Sequence, residues 1–305
     1  MSATEWSYVV FGILIALALA FDLGLLSKKS KAVSIRQALL QTIFWVILAL
    51  AFFGFLYFEN GPAKALEYIS AYLMEWSLSI DNIFVFTLIF SYFRVKDQDS
   101  NRVLLYGILL AVVLRIIFIT AGVALVREFN WVLYIFGAFL VYTGGQMFFV
   151  DEKKEFDAEK NTVYRWLKKI VPVTDEESGG KFRKKINGKN YFTRLFAVMV
   201  LLATTDMIFA FDSIPAVFAI TQAKLIIYTS NIFAVLGLRS MFFLLKGAVN
   251  KFIYLSEGIA IVLVFIGVKM LIEYFNVHIP IWVSLIVIVV CIGTSMAISL
   301  YRGKK

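Results

Sequence analysis

The sequence predicts an all-α polytopic membrane protein with about nine transmembrane helices. Of its 305 residues, 61% are hydrophobic and only 17% are charged, which is more apolar surface than one water-soluble core can bury. Apolar runs of about 20 residues recur along the chain, and each is long enough to cross a hydrocarbon layer about 30 Å thick. These runs lack the alternating pattern of barrel strands and are about twice as long, so we expect helices.

One long polar segment, 151–192, divides the predicted spans into a front group of five and a back group of four. Residues 1–64 hold the first two spans, and residues 277–305 hold the last span and a short tail. Between them lie two units of three spans, 65–150 and 193–276. The predicted spans are Trp6–Leu26, Arg36–Phe58, Ala65–Phe93, Leu104–Val126, Trp131–Val150, Arg194–Ile220, Lys224–Leu245, Tyr254–Phe275 and Ile279–Tyr301.

The polar segment is predicted to be a structured cytoplasmic connector. Residues 161–171 have the pattern of an interfacial amphipathic helix, with Tyr164, Leu167 and Val171 on one face. Residues 182–192 predict a small β-hairpin, because the Asn-Gly pair at their centre suits a two-residue turn. Binding of a membrane protein partner or of anionic lipid at this loop is left open, as is a homo-oligomer.

The positive charge follows the predicted membrane topology. The net charge is +9, but 24 of the 30 Lys and Arg residues fall in segments that share one side of the membrane when the amino terminus is outside. The positive-inside rule therefore places the amino terminus outside and the carboxyl terminus in the cytoplasm, for a chain in the inner (plasma) membrane. Orientation in the lipid bilayer accounts for the basic charge, so no nucleic-acid partner is expected.

Several classes of chemistry lack their motifs in this sequence. The only cysteine, Cys291, lies inside the last predicted span, which excludes an intrachain disulfide and a thiolate metal cluster. The sequence has no His-Glu-x-x-His site, no nucleophile with an identifiable base and no phosphate-binding loop. We therefore expect neither an enzyme nor an ATP-driven pump, and no organic cofactor.

The main internal repeat is a duplicated pair of acids. Spans three and six each hold two acids six positions apart, and a small polar residue follows the second acid in each copy. Paired acids at matching places in two apolar spans are hard to explain by packing alone. The residues of the two copies are Glu75, Asp81 and Asn82, and Asp206, Asp212 and Ser213.

Further matches extend the repeat over three spans. The span after each acid pair holds one arginine, Arg115 or Arg239, and the third spans match at Met147 and Met270. Matching positions are 131, 124 and 123 residues apart in the three spans. Because three is an odd number, the second copy enters the membrane from the opposite side. This predicts an inverted repeat, the arrangement that builds many alternating-access transporters.

Eight charged residues lie at least four positions inside the ends of the predicted spans, although a charge costs roughly 2.5–3.5 kcal/mol at a helix centre. Acids outnumber bases by five to three, which favours a divalent cation over an anion as the ligand. Two alternatives stay open: the acids pair with the bases and only fix the helix packing, or Asp22 is an interfacial residue. The eight residues are Asp22, Glu75, Asp81, Asp206, Asp212, Arg115, Arg239 and Lys269.

Helical phase predicts two different roles within each acid pair, because residues six apart differ by about 120° on an ideal helix. One acid from each copy can then meet at the centre, while the other lines its own half of a pathway. Pro215 is expected to loosen the helix around Asp212 and to free backbone carbonyls. Carboxylate, amide, hydroxyl and carbonyl oxygens suit Mn²⁺, Mg²⁺ or Ca²⁺ better than zinc or copper.

The two motifs, Glu-Trp-Ser-Leu-Ser-Ile-Asp-Asn from 75 and Phe-Ala-Phe-Asp-Ser-Ile-Pro-Ala from 209, resemble those of the TerC family of membrane proteins, in particular its Alx-like branch. The resemblance covers nearly the whole chain, and it implies manganese efflux and a link to tellurium resistance. The second motif of the family often has a glutamate where this chain has Ala203, which bears on the number of ligands and on the preferred metal. The resemblance implies that the metal is bound by Glu75, Asp81, Asn82, Asp206, Asp212 and Ser213, with Asp22 as an accessory.

The leading hypothesis is a secondary transporter that exports a divalent metal cation from the cytoplasm. Mn²⁺ ranks first as its substrate, the carboxylate site lies at the membrane midplane, and exchange for protons is one version of the mechanism. The alternative is a membrane scaffold or a subunit of a tellurium-resistance or stress-resistance complex. In that case any bound metal is structural.

Overall fold

The computed structural model confirms the all-α prediction, with one small sheet beside the helices. Seven of the described helices are long and apolar enough to cross a membrane. Two shorter apolar helices, Glu5–Ala20 and Val132–Met147, coincide with the first and fifth predicted spans. The structure describes residues 3–26, 33–129, 131–148, 161–174, 179–186, 188–246, 254–275 and 277–302.

The helices follow the predicted spans, and the largest difference is at the start of the fourth. That helix begins at Asp97 and not at Leu104, because a polar first turn with Asp97 and Asp99 favours a helix amino terminus. The helices are α1 Ala3–Leu26, α2 Ile35–Asn60, α3 Pro62–Tyr92, α4 Asp97–Glu128, α5 Val132–Met147, α6 Thr162–Ile170, α7 Arg194–Phe218, α8 Lys224–Leu245, α9 Leu255–Ile272 and α10 Ile281–Arg302.

A tight turn sets the start of α3, the helix that carries the first acid pair. Gly61 adopts φ +89°, a conformation that a residue with a Cβ rarely adopts. Pro62 follows as the first residue of α3, where its missing N–H costs no helical hydrogen bond. At the other end of α2, Ser34 and Gln37 form a capping box, so α2 is fixed at both ends.

Helix α8 lies at the centre of the bundle and packs on α2, α3 and α4. In its most apolar 18-residue window 94% of the residues are buried, against 17% in α10. This enclosed helix also carries buried polar residues, which need partners inside the protein because lipid supplies none. They are Thr229, Ser230, Asn231, Arg239 and Ser240.

The helix contacts have the pattern that an inverted repeat predicts. Helix α3 packs on α8, and α4 packs on α7. If the first unit, α3–α5, is superposed on the second unit, α7–α9, and the second on the first, each of these two contacts maps onto the other. The contacts of α5 with α9, α3 with α7 and α4 with α8 each map onto themselves. A twofold axis between the units would produce these relations.

The crossing of α5 and α9 agrees with the offset of 123 residues between the third spans. A Cβ on Gly137 would lie 3.1 Å from the carbonyl oxygen of Gly267, and a Cβ on Gly144 would lie 2.8 Å from that of Ala260. With the offset of 123, Gly137 corresponds to Ala260 and Gly144 corresponds to Gly267. The repeat therefore maps each of these two contacts onto the other. Small residues let the two antiparallel backbones approach closely at this crossing.

The connector contains α6 and a three-stranded sheet. Strands β2 and β3 pair antiparallel as the predicted hairpin, and β1 adds to β3 in parallel; the turn residue Asn187 lies outside the described residues. Tyr164 of α6 is buried, with its ring centroid 5.2 Å from that of Phe93. The face of α6 that was predicted to be interfacial therefore packs on protein, because the end of α3 offers it an aromatic partner. The strands are β1 Val173–Thr174, β2 Arg183–Ile186 and β3 Lys189–Thr193.

Candidate metal site

A buried guanidinium joins the two copies of the repeat. Arg115, on α4, donates from Nε to Asp206 Oδ2 at 2.7 Å and from Nη2 to Asp206 Oδ1 at 3.1 Å. Its Nη1 donates to Oε1 of Glu75. None of the three side chains is more than 3% exposed. The first acids of the two copies, Glu75 on α3 and Asp206 on α7, thus bind the same base.

Two asparagines add hydrogen bonds to this cluster. Asn82 donates from Nδ2 to Asp206 Oδ1 at 3.3 Å. Asn231, on α8, accepts from Arg115 Nη1 at 2.9 Å and donates to the carbonyl of Ile227 at 3.0 Å. The repeat does not identify Asn231, and its only signal in the sequence is an amide in the middle of an apolar span. We call Glu75, Asn82, Arg115, Asp206 and Asn231 the central cluster.

Three buried oxygen atoms beside the central cluster have no hydrogen-bond partner among the described residues. They are Oε2 of Glu75 and the hydroxyl oxygens of Ser79 and Ser213. Ser213 lies near Glu75, but no hydrogen bond of normal geometry joins its hydroxyl to the carboxylate. A buried polar atom without a partner costs about 1–3 kcal/mol. These oxygens are therefore candidate ligands for a cation.

The charge and chemistry of the central cluster favour a hard cation. Two carboxylates and one guanidinium leave one net negative charge when all are ionised, and the available ligands are oxygen atoms. In the described part of the chain, no three His, Cys, Asp or Glu side chains are grouped closely enough to hold a metal by themselves. A cation here would thus need amide or hydroxyl oxygens as well as the acids that Arg115 contacts.

The remaining predicted acids lie apart from this contact or are not described. Asp212, on α7, is partly exposed, and among the described residues its carboxylate makes no ion pair. The difference from Asp206 follows from the helical phase of residues six apart. Asp22 and Asp81 belong to α1 and α3, but their side chains lie outside the described part of the structure. Their roles as ligands stay predictions.

The other two predicted bases do not join the central cluster. Arg239 donates to Asn101 Oδ1 at 3.4 Å as one of its contacts. Lys269 donates to Ser284 on α10 at 3.1 Å. Among the acids whose side chains the structure describes, pairing with the predicted bases, the alternative to a metal site, holds for Glu75 and Asp206, and both of them use Arg115.

Helix α7 runs through Pro215 without a break and ends at Phe218. The loosening predicted around Asp212 is thus not visible as an interruption of the helix, although Pro215 has no N–H to donate to the preceding turn. The proline lines an apolar cavity of about 540 Å³ between α4, α5 and α7, together with Phe118, Phe136 and Phe218.

Comparisons with known proteins identify the family. The model of the "Integral membrane protein TerC family" matches residues 60–305, which include both acid pairs. The uncharacterized membrane protein STKORF319 of Myxococcus xanthus is 45% identical over 286 residues, 94% of this chain and 89% of that protein. The putative membrane-bound redox modulator Alx of Escherichia coli K12 is 44% identical over 284 residues, 90% of this chain and 88% of that protein. No solved structure gives a significant match. Since the family model spans most of the sequence and these relatives match nearly all of it, the chain belongs to the TerC family of integral membrane proteins.

Proposed function

We propose that this protein is a secondary transporter that exports a divalent metal cation, with Mn²⁺ as the first candidate substrate, and that the central cluster is its binding site. One observation carries the proposal: a buried, net negative site at which a carboxylate oxygen and two hydroxyls have no partner among the described residues. Ionisable groups inside membrane helices are costly, and they commonly mark ion pathways. The oxygen ligands suit Mn²⁺.

Arg115 supplies a mechanism for this transport. Its guanidinium contacts Glu75 and Asp206 together, so a divalent cation that binds the same carboxylates competes with it. Arg115 then acts as a tethered cation, which the substrate displaces and which returns when the substrate leaves. This exchange keeps the two acids compensated throughout, and it avoids the penalty of about 3–5 kcal/mol for an uncompensated buried charge.

Exchange for protons needs an acid that can lose its charge without breaking an ion pair. Asp212 fits this role best among the described acids of the spans, because it makes no ion pair and is only partly buried. The paired contacts of the two units support rocking of one unit against the other as the motion that opens each side in turn.

The printed names of relatives point to a second kind of function. Several are called putative membrane-bound redox modulators. This chain has a single cysteine, Cys291, so a thiol–disulfide couple within one chain is excluded. A scaffold in a tellurium-resistance or stress-resistance complex is the second candidate, favoured by the structured connector with α6 and its sheet. A connector deletion that leaves metal efflux and resistance intact would count against it.

Replacing Asp212 by Asn tests the transport proposal with little risk to folding. We expect Mn²⁺ uptake into inverted vesicles to fall several-fold and to lose its dependence on a pH gradient. The free energy of unfolding should stay within about 0.5 kcal/mol of wild type, because Asp212 makes no ion pair with any described residue. The matched control is Glu128→Gln, which makes the same chemical change at an exposed residue of α4.

The same vesicles test substrate choice when Mg²⁺, Ca²⁺ or Zn²⁺ competes with Mn²⁺. Wild-type vesicles that take up none of these ions would contradict the transport proposal. Wild-type uptake with an unaffected Asp212→Asn variant would contradict only the role of that acid.

A further inference from the structure

Helix α6 has a second apolar face that no described part of the chain covers. Trp166 and Ile170 lie one turn apart, and they are 68% and 58% exposed. They lie beside the face that packs on protein through Tyr164 and Leu167. Exposed apolar groups of this size are expected on membrane spans, but α6 is too short and too polar to span. On such a helix they indicate a binding surface.

The contacts of α6 place it at the membrane surface. The ring of Tyr164 packs against Phe93, the residue that directly follows α3. Helix α6 also packs on α7. It therefore lies beside the end of α3 and against α7, and the end of a membrane helix lies where the bilayer meets water. The distribution of Lys and Arg assigns this level to the cytoplasmic side.

Basic side chains flank the exposed apolar pair. On a helical projection Arg165 and Lys169 follow Trp166 and Ile170 on the side away from Tyr164, and both are exposed. An interfacial helix has this arrangement, in which a Trp enters the headgroup region and the cations meet lipid phosphates. The described part of the connector contains no acidic side chain that would compete for these cations.

We propose that α6 binds anionic phospholipids of the cytoplasmic leaflet. Trp166 and Ile170 enter the boundary between headgroups and acyl chains, and Arg165 and Lys169 contact the phosphates. Charge complementarity and the position of α6 beside the end of α3 favour lipid over a soluble acidic protein. The proposal does not depend on the transport function. The acids of the connector lie within 151–160 and 175–178, outside the described residues.

The test uses the full chain in vesicles that contain equal amounts of phosphatidylglycerol and phosphatidylcholine. After gentle extraction, quantitative mass spectrometry counts the lipids that stay bound. We expect phosphatidylglycerol to be enriched on wild type. Arg165→Gln/Lys169→Gln removes two cations and should lower the enrichment by about five-fold or more, since each cation near an anionic surface contributes about that factor. Trp166→Ala/Ile170→Ala should weaken binding but leave its dependence on salt.

The hairpin provides a charge-matched control. Lys185→Gln/Lys189→Gln removes two exposed cations of the same connector. The phosphatidylglycerol enrichment of this variant should stay close to that of wild type. The proposal is overturned if wild type shows no enrichment, or if the hairpin variant loses as much as the α6 variant. It is also overturned if free glycerol phosphate displaces the lipid, because the ligand would then be a soluble anion.

Discussion

Replacing Arg115 by Met is expected to destabilise the protein by about 3–5 kcal/mol, because it leaves two buried carboxylates without their base. Asp206 loses bonds of 2.7 and 3.1 Å, and Glu75 loses its bond to Nη1. Arg115→Lys should be intermediate, because a point charge cannot reproduce a fork that reaches both acids. Thermal unfolding of the purified variants in nanodiscs measures the effect. An Arg115→Met variant as stable as wild type would contradict the buried ion pair.

A triple variant separates stability from function at the same cluster. Arg115→Met combined with Glu75→Met and Asp206→Leu replaces the ionic groups by apolar side chains of similar size. Such replacements of buried ion pairs are often neutral or stabilising, so most of the lost stability should return. Binding of divalent cations should not return, because the carboxylates are gone.

Addition of Mn²⁺ to the single variant tests whether the proposed substrate competes with Arg115. A ligand that binds only the folded state raises its stability. In Arg115→Met the ion replaces the missing positive charge, so Mn²⁺ should raise the unfolding temperature of this variant far more than that of wild type. An equal shift in both proteins would show that Arg115 does not compete with the ion.

Much of the fold could be predicted because the bilayer imposes the pattern that the sequence shows. Lipid requires long apolar runs, and the predicted spans therefore coincide with helices. The start of α4 at Asp97 was not predicted, because a polar first turn outside the bilayer adds nothing to an apolar run. For α6 the amphipathic pattern was visible, but the pattern cannot tell whether Tyr164 covers lipid or protein. The contact with Phe93 depends on the tertiary structure, which a local sequence pattern does not show.

The site was predictable to the extent that its residues are charged and repeated. Glu75, Asp206 and Arg115 stand out because charges are rare in spans. Asn231 was missed because an amide is less conspicuous, and because its counterpart in the first unit, 124 residues earlier, is Gly107. A symmetric repeat would also give each acid its own arginine. Which base contacts both acids depends on how α4 packs between α7 and α8, and that is not visible in a single sequence.

Replacing Gly267 by Ala should produce the second large effect, a destabilisation of about 1–3 kcal/mol from overpacking. The new Cβ would lie 2.6 Å from the carbonyl oxygen of Gly137 and 2.8 Å from the backbone nitrogen of Val141. Backbone atoms cannot move aside as the end of a side chain can, so the two helices must separate. Because this crossing joins the two units, the proposed Mn²⁺ efflux should fall together with stability.

Three glycines of α5 extend this prediction to a ranked series of substitutions. The closest backbone approach of a new Cβ is 2.8 Å at Gly144 and 3.1 Å at Gly137, whereas nothing lies within 4 Å of one at Gly145. The loss of stability on substitution by Ala should therefore decrease from Gly267 to Gly144 to Gly137. Gly145→Ala should be neutral or slightly stabilising, because Ala favours a helix. If Gly145→Ala is as harmful as Gly144→Ala, helix flexibility and not the close crossing explains the effect; if the order holds, the close approach of α5 and α9 explains it.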